Sequence, residues 1–232
     1  MAQAALIVGA GQGISASFAR ALHKDDYTIT LASRTTDDLA DICRETDARA
    51  FACDATDPSQ VAALFDQFDR SGQALDVVLY NASNRARGPI VDLDPHDVEQ
   101  SLMVSAYGGF LVAQQAARRM LEAGKGAILF TGASASIKGY PQSAPFAMGK
   151  FALRGLAQSM ARELAPKGIH VAHFIIDGAV RSPARGRAER AGETPDTFLD
   201  PDAIAQSYMH VLKQPRTAWT WELELRPWTE KF

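Results

Sequence analysis

The sequence predicts an α/β fold: a doubly wound parallel sheet of about seven strands flanked by helices. Three observations carry this. Strand-like and helix-like segments alternate from end to end, the pattern of βαβ units. Several strand segments are almost wholly apolar, as strands covered on both faces must be. The first of them runs directly into a glycine-rich turn beginning at Gly9. With 232 residues, 47% hydrophobic and 22% charged, the chain has material for one well-buried domain spanning 1–232 rather than two.

Strands are expected at 5–9, 27–32, 48–53, 77–80, 127–131, 170–176 and 219–225. Between them, Val61, Leu64, Phe65 and Phe68 share one helical face, and Leu153, Leu156, Met160 and Leu164 another. Asp94 followed by Pro95 supplies an N-cap and an N1 proline for a long helix starting near His96. Pro166, Lys167 and Gly168 end the helix that carries Lys150. The segment 181–197, rich in Arg, Ala, Gly and Pro, has no pattern and reads as a mobile flap.

A net charge of −3 offers no reason to expect nucleic acid or an anionic membrane as partner. No run approaches the ~18 apolar residues that span a bilayer. The N-terminus lacks a basic region and its apolar run breaks at Gly9, so it reads as a strand rather than a signal peptide, and a cytoplasmic protein is expected. Cys43 and Cys53 form no metal-like pattern and read as free thiols of a reducing compartment. No metal is expected.

Val8 runs into Gly9-Ala10-Gly11-Gln12-Gly13-Ile14-Ser15. Glycines suit a tight turn that brings backbone close to a pyrophosphate, and the first N–H groups of the following helix then face the anion. A plain strand–helix turn is the alternative. The spacing departs from G-x-G-x-x-G, since Ile14 falls on its third glycine. The second strand ends Ala32-Ser33-Arg34-Thr35, without the carboxylate that would bind ribose hydroxyls and repel a 2′-phosphate. Ser33 can donate to a phosphate and Arg34 can pair with it, which favours NADP(H) over NAD(H). A solvated surface arginine is the alternative, and Gln12 adds no basic group inside the loop.

These motifs, in this order, resemble the classical short-chain dehydrogenase/reductase family over nearly the whole chain, and so imply its Rossmann-type fold. Gly9 to Ser15 is similar to its G-x-x-x-G-I-G turn, with Ser15 for the last glycine. Asp54-Ala55 stands where the family contacts adenine. Tyr80-Asn81-Ala82-Ser83 is similar to its N-N-A-G motif, with Ser83 for glycine. Asp177-Gly178-Ala179-Val180-Arg181-Ser182 resembles the P-G-x-x-x-T turn beside the nicotinamide, with Val180 and Ser182 at the contacting positions. The implied cofactor residues are Gly9, Gly11, Gly13, Ile14, Ser33, Arg34, Asp54, Ala55, Asn81, Ala82, Lys150, Gly178, Val180 and Ser182. Asn81 would line the adenosine-side ribose and Lys150 the nicotinamide ribose.

The resemblance also implies a serine and a tyrosine thirteen residues apart, with a lysine four residues after the tyrosine. A carbonyl that receives hydride becomes an alkoxide and must be protonated, and a phenol near pKa ~10 needs a cation nearby to serve at neutral pH. Lys150 is in place. Its i−4 neighbour, on the same helical face, is Phe146, and thirteen residues further back stands Ala133. Ser105 stands where many members carry an asparagine. Ser134 takes the serine position if the register shifts by one, though it and Ser136 are too weakly acidic to be proton sources on their own. The substitute proton donors are Tyr140, Tyr107 or a water held by Lys150, and an activated substrate would need little acid help. Ser143 holds the position at which enoyl reductases carry their tyrosine.

Two histidines on a strand, His170 and His173, point to opposite faces and read as structural. Arg181, Arg185, Arg187 and Arg190 read as a solvated loop, with an anionic substrate as the alternative. Exposed aromatics at 219–232, with the small residues Ala147, Gly149, Ala152 and Gly155 for close helix contact, lead to an expected homodimer or homotetramer. The leading expectation is an NADP(H)-dependent oxidoreductase passing hydride to or from a small-molecule carbonyl or alcohol with a non-standard proton donor. A catalytically silent NADP(H) sensor or scaffold is the alternative, and a structural oligomer without cofactor comes third.

Overall fold

The computed structural model describes residues 3–190 and 192–231. Seven parallel strands form one sheet: β1 (Ala4–Val8), β2 (Thr28–Ser33), β3 (Arg49–Ala52), β4 (Leu75–Tyr80), β5 (Gly126–Thr131), β6 (Ile169–Ile176) and β7 (Glu222–Leu225), in the order β3-β2-β1-β4-β5-β6-β7. The helices are α1 (Ile14–Lys24), α2 (Ala40–Thr46), α3 (Pro58–Asp69), α4 (Pro95–Leu102), α5 (Gly108–Ala123), α6 (Ala144–Leu164) and α7 (Pro201–Leu212). The expected fold class is observed. Strand order reverses at β1, which pairs with β2 on one side and β4 on the other, and a crevice opens at their carboxyl ends.

Period-two alternation splits the core between the faces. Leu6, Val8, Val78 and Phe130 pack with Phe65, Val112 and Leu153 from α3, α5 and α6. Ala5, Ile7, Leu79 and Phe174 pack with Phe18, Leu22 and Tyr208 from α1 and α7. Among the described residues no helix is long and apolar enough to cross a membrane. Cys43 and Cys53 are unpaired.

Two expectations, on the last strand and on the long helix, are corrected. The last strand begins at Glu222, not at residue 219. Trp219 instead stacks on His170 with centroids 4.6 Å apart, and the Gln214 side chain accepts from the Thr220 N–H at 2.8 Å, so these residues turn before entering the sheet. The long helix from residue 95 is interrupted by a π-helical turn at Met103–Tyr107, over which the buried Tyr80 hydroxyl donates to the Val104 carbonyl. The four small residues of α6 do not share one outer face. Ala147 and Gly149 are buried, and a Cβ on Gly149 would lie 2.7 Å from the Ser105 Cβ, while Ala152 and Gly155 are exposed beside Met148 and Phe151.

The segment read as a flap is irregular but tied down. Val180 bridges to Leu199, Ser182 to Arg187, and the Arg181 guanidinium donates to both oxygens of Glu189. Ala191, within that segment, lies outside the described residues.

Candidate functional site

The glycine turn closes the crevice at the end of β1. Gly9 has φ +80, and a Cβ there would lie 2.2 Å from the Ala82 backbone nitrogen. Gly13, with φ +96, is the N-cap of α1. No side chain caps that helix, and its first turn carries no acid, so its first N–H groups stay available to an anion. Gly11 has open space where a Cβ would go, and the backbone does not require glycine there. Ser15 donates to the Gly9 carbonyl at 3.1 Å, and the Asn81 amide donates to Ser15 Oγ at 2.8 Å and to the Gly9 carbonyl at 3.2 Å. The amide nitrogen of Asn81, a residue expected to contact ribose, thus braces the turn, and the residue borders the cleft. Gly9→Ala is expected to lower the melting temperature, measured by calorimetry, because the Ala82 backbone cannot yield to the added methyl.

Ser33, half-buried, and Arg34, exposed, end β2 as expected. The Asp54 carboxylate accepts from the Thr56 N–H and hydroxyl at 2.9 and 2.8 Å, and the Ala55 carbonyl lies under Gly108. Ser33, Arg34, Asp54 and Ala55 lie outside the lining of the main cavity, as do Gly9, Gly11 and Ala82.

That cavity, about 890 Å³, runs from Gly13 and Ile14 past Asn81 to Phe146 and Lys150. Ser134 and Tyr140 line it, with Ala133 and Ser143. Gly178, Val180 and Ser182 form its outer wall, and a Cβ on Gly178, at φ +148, would lie 2.8 Å from Pro227. Tyr107, by contrast, stacks on Phe110, and Ser105 is buried with no hydrogen-bond partner for its hydroxyl among the described residues; neither lines the cavity.

Helix α6 presents Phe146 and Lys150 on one face. The Lys150 ammonium donates to the Thr131 carbonyl at 2.7 Å and lies 6.0 Å from the Phe146 ring centroid. Burial, helped by the nearby Arg85 charge, brings its pKa down to about 7. Phe146 is buried against Ala133 and Ala135, and the Arg85 guanidinium stands 4.0 Å over its ring.

Two features escape a reading of the sequence. Arg85 and Arg87 follow the Asn81 motif in an irregular loop, where no periodicity indicates what their side chains face. Below the cavity runs a buried polar chain. The His173 ring has Nε2 3.3 Å from Ser136 Oγ and Nδ1 3.1 Å from Glu222 Oε2, and Glu222 accepts two bonds from Arg154 at 2.6 and 2.7 Å. Burial lowers the His173 pKa to about 4, so the ring is neutral at neutral pH. His170 bonds instead to the Thr220 carbonyl.

Fold and cleft together define a doubly wound α/β protein of the Rossmann type, with a cavity opening at the carboxyl ends of its strands. The chain belongs to the short-chain dehydrogenase family, whose model matches residues 3–191. It is 29% identical over 188 residues to L-2,3-butanediol dehydrogenase of Corynebacterium glutamicum, covering 78% of this chain and 72% of that one. A short-chain dehydrogenase structure from Rhodopseudomonas palustris superposes with a TM-score of 0.82 at 34% identity, over 97% of this chain and 99% of that one. An alcohol dehydrogenase from the archaeon Thermococcus sibiricus, complexed with 5-hydroxy-NADP, has the same fold at 24% identity, with a TM-score of 0.86 and coverage of 99% and 98%.

Proposed function

We propose that the chain is an NADP(H)-dependent oxidoreductase of small carbonyl or alcohol substrates that works without a tyrosine, Lys150 supplying the proton. The observation that carries this is the pairing of Phe146 with a buried Lys150 in the same cavity that begins at the uncapped N-terminus of α1. Gly9 and Gly13 fit the approach of a pyrophosphate, since a side chain at either would be strained and at Gly9 would also collide. Ser33 and Arg34 fit a 2′-phosphate: β2 ends on a hydroxyl and a guanidinium in place of a carboxylate, and among the described residues no ion pair holds Arg34. Bound NADPH supplies the hydride.

The protein's part is positioning and proton supply. Phe146 has no proton to give, and its ring keeps that wall of the cavity apolar. The Lys150 ammonium, with a pKa about 7, is within the range where a general acid works best at neutral pH, and passes its proton to the product oxygen through a water. Ser134 and Tyr140, which line the same cavity, hold the substrate oxygen. In alcohol oxidation the neutral Lys150 amine accepts the proton.

The experiment is NADPH oxidation followed at the nicotinamide absorbance over a carbonyl panel, beside NADPH and NADH binding read from tryptophan quenching. Tighter binding of NADPH than NADH is expected, with kcat/KM for reduction falling above pH about 7 as Lys150 loses its proton. Phe146→Tyr, combined with Ala133→Ser, is expected to raise kcat about 10- to 100-fold, since it adds a phenol one helical turn from the ammonium. Tight NADPH binding with no turnover in the unmodified protein would make the chain a sensor instead.

A further inference from the structure

We propose that the substrate is itself an anion, a carbonyl compound that also bears a carboxylate or a phosphate, and that Arg85 and Arg187 grip this group beside the Phe146 ring. The inference rests on the reading of the cavity as a substrate site and adds the class of substrate.

The charges around the cavity do not balance. Its acids are Asp177 and Glu230, and Asp177 is already held by Lys138 at 3.4 Å and Arg226 at 3.3 Å. Of its arginines, Arg181 is neutralised by Glu189 at 3.0 Å, with Asp196 and Asp200 within 4.0 Å. Arg85, Arg87, Arg185 and Arg187 also line the cavity, and among the described residues none of these four pairs with a carboxylate. This unbalanced cluster stands in a protein whose net charge is −3, so it is a local concentration and not a reflection of overall composition.

Two of the four are also positioned. The Arg85 guanidinium is held 4.0 Å over the Phe146 ring, at the hydride end of the cavity, although the residue as a whole is exposed. Arg187 Nε is buried, and among the described residues it has no hydrogen-bond partner. Burial and the charges of Arg87 and Arg187 all disfavour the Arg85 cation, an arrangement that an oxyanion between these groups would relieve. Guanidinium groups take carboxylates and phosphates through paired N–H bonds, which supplies orientation as well as attraction. The phosphates of the cofactor do not account for the cluster. In the reading above they occupy the start of α1 and the end of β2, whereas Arg85 stands beside Phe146.

The test is calorimetric titration at fixed ionic strength of the protein saturated with NADP+. One arm uses short straight-chain oxo acids against their methyl esters, and the other uses hydroxyketone phosphates against the parent hydroxyketones. The anionic member of at least one pair is expected to bind at least about tenfold tighter, the worth of one charged hydrogen-bonded contact, and the stronger arm identifies the group. Arg85→Ala, on an exposed loop, is expected to remove most of that preference while leaving NADP+ affinity unchanged, and Arg187→Ala to act in the same direction. Equal binding of anion and neutral partner in both arms overturns the proposal. So does a loss in Arg85→Ala that is equal for both partners, or that falls on NADP+ itself. If NADP+ does not bind, the cofactor reading fails alone, and the preference for anions is read from the same titrations of the protein without it.

Discussion

Lys150→Met is expected to lower kcat/KM for carbonyl reduction by about 10²- to 10⁴-fold and, in the same protein, to raise the melting temperature at neutral pH. The first effect follows from losing the proposed acid and its grip on the ribose. The second follows from burial. The ammonium is almost wholly inside the protein, and it donates a hydrogen bond to the Thr131 carbonyl. Its folded pKa is about 7, against roughly 10.4 in an unfolded chain. Below pH 7 both states are protonated and the full cost of burying a cation is present. As pH rises from 7 towards ~10.4, the folded state has given up its proton while the unfolded state still holds it. The cost therefore shrinks through that window and is gone above it. The melting-temperature advantage of the methionine variant, several degrees at pH 6.5, should accordingly narrow by pH 9.5. A variant less stable than the parent at both pH values would show that Lys150 contributes more through its hydrogen bond than its burial costs.

Glu222→Leu is expected to destabilise the fold by about 2–3 kcal/mol, a drop of roughly 4–12 °C in melting temperature by scanning calorimetry. Its carboxylate ties β7 to α6 through two bonds from Arg154 and to β6 through His173. Burial pushes the Glu222 carboxyl up, but Arg154 and His173 outweigh it and hold the pKa below the usual range. The contribution of Glu222 is present above the ordinary glutamate pKa and is lost as pH falls through the lower folded value. His173 acts earlier on acidification. Its folded pKa near 4 lies below the unfolded value of about 6.5, so only the unfolded state takes up the proton between those limits and stability falls across them. The unmodified protein should lose melting temperature between pH 6.5 and 4, and a flat profile there would contradict a neutral buried imidazole.

How much of this was legible in the sequence differs between elements. Six of the seven strands were placed to within two residues, because strands buried on both faces leave uninterrupted apolar runs. The seventh was started three residues early. Trp219 and Thr220 have strand-like side chains, but they are held by His170 and Gln214, partners that only folding brings near. The π-helical turn left no trace in the helical spacing, since Tyr80, whose hydroxyl bonds to it, comes from β4.

The candidate site divides in the same way. The i, i+4 relation of Phe146 and Lys150 is a property of any helix, and the glycine turn is a matter of local backbone sterics, so both were open to reading residue by residue. Sequence alone therefore determined the alternating architecture, the glycine turn at the end of the first strand and the placing of a phenylalanine one helical turn before a lysine. Tertiary structure decided what surrounds that ring: Arg85 above it, unpaired arginines across the cavity, and a Ser136–His173–Glu222 chain beneath. The physical reason is range. Backbone conformation and hydrophobic periodicity act over a few residues, whereas the charge balance of a cavity sums over groups that are distant in the chain and meet only once the sheet has formed.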